Sequence, residues 1–420
     1  MAGQGCFGGT AGRRRGAALV LTALVLAGSL LTGGCADGPR RDTTSQEVQR
    51  TLDARAAAVL RHDEAGYLAA LDPSARHLAA VARAEFANLA EVPLGSWEYR
   101  VTGVRSSGAR ATADAELRYR LDGYDTSPVT AERRLELAER DGRWYITADR
   151  PGHGGGEQLW QQGDVEVVRG THSLVLGVGR QPERLERLER IAAEADRAVP
   201  AVSAAWGGAW AGRVVVVVPE SLDAMGRLLG APAAEYRGIA AVTTGSAGPP
   251  GKGPGPADRV TVNPEAYGLL GDLGRRVVLT HETAHVATRA HTSASTPLWL
   301  SEGFADWAAY RGTGRDLRQA APELRRAVRG GDVPAALPTD ADFRFGGDAR
   351  ALGRAYEGGR LACELIADRW GEDRLRAFYR AVGASETRDG AVESALDEVL
   401  GTSAERFTAD WREYLGERLG

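Results

Sequence analysis

The sequence contains little cysteine, with three such residues in 420. Cys6 and Cys35 both lie within the first 35 residues, and Cys363 is the one cysteine of residues 36–420, so it has no intrachain partner there. Intrachain disulfides therefore cannot stabilise the folded part of the protein, which must depend on its hydrophobic cores.

A strong excess of charge of either sign is also missing, since 52 basic residues stand against 56 acidic ones and the formal net charge is -4. Acids and bases are interspersed, so no basic stripe could neutralise a phosphate backbone, and we expect no nucleic-acid partner. Aromatic residues are sparse at 6%, but a hydrophobic content of 43% is ordinary for globular protein and excludes disorder of the whole chain. The length of 420 residues exceeds what one core usually organises, which predicts two folded domains.

Residues 1–35 have the pattern of a targeting segment. Arg13–Arg15 form a positive start, the apolar run Ala17–Leu31 follows, and two glycines precede Cys35. A cysteine in this place resembles the bacterial lipoprotein signal, although Thr32 stands where that pattern prefers leucine. The resemblance implies that Cys35 is acylated and that the protein is exported and held by lipid at the outer face of the cytoplasmic membrane, on the cell surface. An uncleaved membrane span or a plain secretory signal would also export the chain.

The next part of the chain changes from helical to strand periodicity. Residues 36–45 are polar and without a period, which predicts a linker. Within residues 46–150 the helical segments lie at 48–60, 67–71 and 78–89, and the alternating segments at 97–101, 115–121, 135–137 and 144–146. Three helices followed by four strands resemble the nuclear-transport-factor-2-like (NTF2-like) fold, which implies an α+β cone. Such folds host many functions, so none follows from the resemblance.

A second linker is predicted at residues 151–162, where glycines cluster, and a second domain at residues 163–420. The sequence indicates a long helix at Pro182–Ala205, an exposed loop at Gly245–Pro256 and a mostly helical chain after Asp272. Four strands are predicted, at 165–168, 172–176, 214–218 and 260–262. The second domain is thus expected to have a small mixed sheet followed by helices, and the whole protein to be α+β.

The segment Arg275–Arg289 has helical periodicity and contains the run His281–His285, of sequence HETAH. Residues four apart lie on one helix face, so the two imidazoles can converge on one metal ion. Glu282 is rotated from that line but stays close enough to contact a metal-bound water. Histidines on helices are otherwise surface or satisfied core groups, so a third ligand is needed to complete a site.

Two candidates compete for the third ligand. His291 lies at the distance that metzincins use, but Thr288 occupies the position where their pattern has a glycine for a sharp turn. Metzincins also carry a methionine turn after the motif, and Met1 and Met225, the two methionines of this chain, both precede it.

Glu302 is the other candidate and lies in the run Trp299–Asp306, of sequence WLSEGFAD. This run resembles the glutamate-bearing helix of the gluzincin zinc metallopeptidases, in particular of peptidase MA-like domains. The resemblance covers residues 163–420. It implies that His281, His285 and Glu302 bind one Zn²⁺ per chain.

The same resemblance implies roles for neighbouring residues. Ser301 is expected to be the N-cap that places Glu302 in the first turn of its helix. Asp306 would orient a ligand histidine by accepting its other ring proton. Tyr356, in the run 354–359, would donate to the negative oxygen that develops in the reaction. His291 is left as a surface residue.

These residues together predict a peptidase that acts on peptide or protein substrates. Three ligands leave one zinc position for water, and Glu282 would accept its proton and pass it to the leaving amine. The strand Val260–Val262 is expected to pair with the substrate backbone. Residues 259–263 lack the run with which aminopeptidase relatives hold a free amino end, so aminopeptidase activity is disfavoured. The alternatives are an exported binding or scaffold protein with a catalytically idle metal domain, and zinc-dependent hydrolysis of another bond.

Overall fold

The structure is a computed structural model that describes residues 38–245, 257–345 and 347–420. The predicted targeting segment, with the lipidation site Cys35, lies outside the described residues, as does nearly all of the predicted loop Gly245–Pro256. Within the described ranges, no helix has the length and apolar character needed to cross a membrane.

The first part of the chain has the predicted three helices followed by four strands. The helices are α1 (Gly38–Leu60), α2 (Glu64–Leu68) and α3 (Arg76–Asn88), and the strands are β1 (Leu94–Ser107), β2 (Arg110–Leu121), β3 (Val129–Arg140) and β4 (Arg143–Pro151). The strands form an antiparallel meander in the order β1-β2-β3-β4. Asp141 and Gly142 both have positive φ, at 52° and 75°, and so close the β3–β4 hairpin with the turn that a right-handed strand twist favours.

Two expectations for the linkers need correction. Helix α1 covers Gly38–Leu60, so most of the stretch 36–45 predicted as a linker is helical. In the stretch 151–162, Leu159 and Trp160 are buried, because they fill the space between the β1–β4 sheet and the sheet that follows. The composition indicated neither the helix in the first stretch, which is polar, nor the buried residues in the second stretch, which is glycine-rich.

The second sheet has five strands, in the order β5-β6-β7-β9-β8. They are β5 (Val165–Arg169), β6 (Ser173–Val178), β7 (Val214–Val218), β8 (Ala241–Thr244) and β9 (Arg259–Val262), with helices α4 (Pro182–Trp206) and α5 (Leu222–Leu229) between them. Strands β6, β7 and β9 run parallel, and the two outer strands are antiparallel to their neighbours. The sheet is therefore mixed, as expected.

The expectation that Val260–Val262 is an edge strand is wrong. These residues belong to β9, which is paired on both sides, and the edge is formed by β8. Strand β8 was not predicted, because its residues Ala-Val-Thr-Thr do not alternate between apolar and polar as those of β9 do.

The rest of the chain is mostly helical, as predicted. The helices are α6 (Pro264–Gly268), α7 (Asp272–Thr288), α8 (Leu298–Tyr310), α9 (Leu317–Ala320), α10 (Pro322–Arg329), α11 (Ala349–Trp370), α12 (Glu372–Ala384), α13 (Ala391–Ala395) and α14 (Ala404–Leu419). Helices α8 and α11 approach so closely that a Cβ added at Gly303 would lie 2.4 Å from the backbone of Gly359. These glycines let the two backbones touch and fix the position of α11 beside α8.

The first sheet and the second sheet share one hydrophobic core. The Trp160 ring lies 5.3 Å from the Trp97 ring and 5.1 Å from the Tyr119 ring, and the cluster continues onto Leu174 and Val215 of the second sheet. One charged pair reinforces this contact, as the guanidinium of Arg259 donates two hydrogen bonds to the carboxylate oxygens of Asp125, at 2.7 and 2.6 Å.

Candidate metal centre

Helix α7 positions the two histidines in the interior of the protein. Its sides pack against α4, α8 and β8, and both His281 and His285 are 1% exposed. Their Nε2 atoms face each other at 3.0 Å. Helical spacing thus brings the two rings together, as the sequence predicts.

Helix α8 supplies the carboxylate of Glu302. The Glu302 Oε2 atom lies 3.2 Å from His281 Nε2 and 3.5 Å from His285 Nε2. The helix begins at Leu298 after Pro297, so the expectation that Ser301 caps it is wrong. Ser301 is instead the fourth residue of the helix and is buried, and its hydroxyl donates to the Leu298 carbonyl rather than accepting from the helix N-terminus.

The three side chains have a geometry that fits a metal ion. Ligands about 2.0 Å from a tetrahedral centre lie about 3.3 Å from one another, and the three pairs here are separated by 3.0, 3.2 and 3.5 Å. Among the described residues, His281, His285 and Glu302 form the group that could hold a metal ion. Two imidazoles and one carboxylate suit a divalent ion that accepts nitrogen and oxygen ligands.

Asp306 fixes which nitrogen of His281 faces this centre. Its Oδ1 lies 2.7 Å from His281 Nδ1, one helical turn beyond Glu302. A proton on Nδ1 donates to this carboxylate and leaves the Nε2 lone pair directed at the centre. Although burial opposes it, the charges of Asp306 and Glu302 raise the pKa of His281 to about 10 when no metal is bound. Asp306 thus contacts one of the two histidines that the sequence proposes as ligands.

The charges of the centre also act on Glu302 and His285. Burial would raise the pKa of Glu302, but the neighbouring His285 and His281 outweigh it and lower that pKa to about 2. Burial lowers the pKa of His285, against the pull of Glu302. The site therefore holds an ionised carboxylate between two rings, as a cation-binding site requires.

Glu282 lies beside the centre and is held by a residue that the sequence did not point to. Its side chain is fully buried, and Thr243 of β8 donates from Oγ1 to Glu282 Oε2 at 2.6 Å. The other oxygen, Oε1, has no hydrogen-bond partner within the described ranges. Burial raises the pKa of Glu282 to about 8, although His281 and Thr243 partly offset the effect. A carboxyl group with a free oxygen and a pKa near neutrality is suited to proton transfer.

Tyr356 of α11 lies near the candidate metal centre, whereas His291 lies away from it. The Tyr356 ring lies 6.4 Å from the His281 ring and is buried, and burial together with Glu302 raises its pKa well above the usual value. His291 ends a short 3-10 turn and is half-buried, with its ring 5.4 Å from that of Trp206. His291 is outside the group that could hold a metal. We expected a surface residue, whereas His291 is half-buried and packs against Trp206.

Comparisons of the whole chain gave matches among solved structures only. No family model and no curated protein sequence matches the chain. An M1 zinc metallopeptidase from Deinococcus radiodurans is 16% identical over 73% of this chain and 62% of its own, with a TM-score of 0.35. A two-domain M1 zinc metallopeptidase bound to L-arginine is 15% identical over 73% of this chain and 61% of its own, also with a TM-score of 0.35. This chain thus spans about three-fifths of the length of those two proteins.

Smaller proteins match the chain in part. A protein whose name contains NTF2 is 14% identical over 26% of this chain and 98% of its own, with a TM-score of 0.20. A SEC-C motif containing protein from Rhodopseudomonas palustris is 24% identical over 29% of this chain and 99% of its own, with a TM-score of 0.19.

Proposed function

We propose that the protein is a zinc-dependent peptidase of the gluzincin type that hydrolyses peptide bonds in peptide or protein substrates. The observation that carries the proposal is the convergence of His281, His285 and Glu302 with Glu282 beside them and Asp306 behind His281. A purely structural zinc site would normally be closed by four protein ligands and would need no base.

Zn²⁺ bound by these three side chains would supply Lewis-acid activation of a water molecule at the remaining position. Glu282 accepts the proton of that water through its free Oε1 and later delivers it to the leaving amine. Thr243 holds the other oxygen of Glu282 and so keeps the carboxyl group aimed at the centre. Tyr356 donates to the substrate oxygen as negative charge develops there, which lowers the barrier because the bond is strongest in the transition state.

The edge strand β8 is the element that we assign to the substrate backbone. It carries Thr243, lies against α7, and pairs on one side only among the residues that the structure describes. An extended peptide paired with this edge would pass beside Glu282. Residues 241–244 are Ala-Val-Thr-Thr and contain no carboxylate that could hold a free amino end, so aminopeptidase activity stays disfavoured.

Two further parts of the proposal concern the remainder of the chain. We assign residues 46–150 to an NTF2-like domain and residues 163–420 to a peptidase MA-like domain. Acylation at Cys35 would hold both on the outer face of the cytoplasmic membrane. Palmitate labelling of the full-length protein and of its Cys35→Ser variant tests the anchor, because only the parent should be labelled.

The alternative is an exported binding protein with an idle metal site, and one comparison separates the two. Zinc content and cleavage of a diverse peptide library are measured for the full-length protein and its Glu282→Gln variant. We expect about one zinc per chain in both and cleavage only by the parent. Zinc without cleavage in both would favour the binding protein, and absence of zinc from both would refute the site.

A further inference from the structure

A cavity of about 510 Å³ lies where the first sheet, the second sheet and the end of α7 meet. Its apolar wall includes Trp210, Val215, Val286 and Ala287. The exposed residue Ala290 also lines it, so the cavity can be reached from solvent. Both the volume and the apolar lining are those of small-molecule sites, which hold about 300–1,000 Å³.

The charged groups at this cavity leave one positive charge in excess. The charged residues that line it are Asp125, Asp258, Arg213 and Arg289. Asp125 is neutralised by Arg259, which lies outside the lining and donates to both of its carboxylate oxygens. Asp258 is then the one carboxylate that balances Arg213, which lies at the exposed rim, and Arg289, which is 3% exposed. A cavity with this balance attracts an anion.

Arg289 is only half satisfied. Its Nε donates to Asp258 Oδ1 at 2.8 Å, while Nη1 and Nη2 have no hydrogen-bond partner among the residues that the structure describes. Residues 246–256, which come before Asp258 in the sequence, contain no aspartate or glutamate. A buried cation with two idle donors is costly, and the planar pair of terminal nitrogens matches the two oxygens of a carboxylate.

We propose that this cavity binds a carboxylate carried on an apolar body, with Arg289 pairing the carboxylate and Trp210, Val215 and Val286 enclosing the apolar part. The site lies outside the metal centre, and the proposal does not depend on peptidase activity. Because Arg289 follows His285 by one helical turn of the same chain segment, an occupant would contact the end of the metal-binding helix.

Titration calorimetry with phenylpropionate and its uncharged amide tests the proposal on the full-length protein, both zinc-loaded and metal-free. We expect saturable binding of the acid in both states, and binding of the amide weaker by about tenfold or more. Ala290→Phe should block the acid by filling the cavity from an exposed position, and Arg289→Gln should weaken it by about tenfold or more. Arg276→Gln, which removes an exposed arginine from the other end of α7, should leave binding unchanged.

The proposal is overturned if acid and amide bind equally, if the acid does not saturate, or if Ala290→Phe binds as the parent does. If Arg289→Gln fails to fold, Ala290→Phe still tests the proposal. A competition experiment with the Glu282→Gln variant identifies the natural source of the carboxylate. Phenylpropionate is bound first, and a peptide with a free C-terminus or its C-terminal amide is then added. Displacement of phenylpropionate by a peptide acid but not by its C-terminal amide supports the site and assigns it to the substrate terminus. Acid binding that neither peptide displaces supports the site as one for a separate small molecule.

Discussion

Replacement of Gly303 by alanine tests the packing that brings α11 against the ligand-bearing helix α8. The added Cβ would lie 2.4 Å from the carbonyl carbon and oxygen of Gly359 and 3.0 Å from the amide nitrogen of Arg360. Ordinary carbon contacts are about 3.5–4.0 Å, so the two helices must separate by about 1 Å. All three atoms are backbone, and none can turn aside. Overpacking of this kind costs about 3 kcal/mol, and the better helix propensity of alanine returns about 1 kcal/mol.

The free energy of unfolding should therefore fall by about 2 kcal/mol in urea titrations. Gly416→Ala is the matched control, because the same substitution in α14 meets nothing within 4 Å and should raise that free energy by about 0.5–1 kcal/mol. Under the proposed function, cleavage should drop in Gly303→Ala while zinc is retained, since Tyr356 moves with α11 and the proposed ligands stay on α7 and α8. A Gly303→Ala protein as stable as the Gly416→Ala protein would refute the packing argument.

Three other perturbations follow from contacts at the metal centre and at the junction of the two sheets. Asp306→Asn should weaken zinc binding by about 10–100-fold in chelator competition, because His281 loses its orienting carboxylate, and unchanged affinity would contradict that role. Arg259→Met should lower the free energy of unfolding by about 3–5 kcal/mol, since it leaves Asp125 buried and unpaired; a loss below about 1 kcal/mol would mean that the pair acts like a surface contact. Burial raises the pKa of Asp258 from 3.8 to about 6, so its ionisation costs more in the folded state and the parent loses stability as pH rises through this range. The difference in free energy of unfolding between Asp258→Asn and the parent should therefore change in favour of the variant as pH rises from 4 to 6. A difference that stays constant over this range would count against the raised pKa.

Much of the geometry of the candidate metal centre could be predicted because its determinants are local. The spacing of His281 and His285 needs only a helix, and Glu302 with Asp306 needs only a second one. The start of that second helix was misplaced at Ser301, because a serine before a glutamate has the pattern of a cap whether or not the helix has already begun.

Contacts between distant parts of the chain could not be predicted in this way. Thr243 holds Glu282 across a four-residue strand that has no detectable period. Asp125 and Arg259 are 134 positions apart, and the sequence around each of them does not distinguish it from an ordinary charged surface residue. Their pairing depends on how two sheets meet, which composition and periodicity do not encode.

The core shared by the two sheets has a consequence for synthesis of the protein. Chains leave the ribosome from the N-terminus, yet the residues that complete the core around Trp97 and Tyr119 include Trp160, Leu174 and Val215. The first four strands are thus made well before the last of their apolar partners emerges. During that interval the nascent chain carries an open apolar surface, which is prone to association with other chains until β7 has been translated.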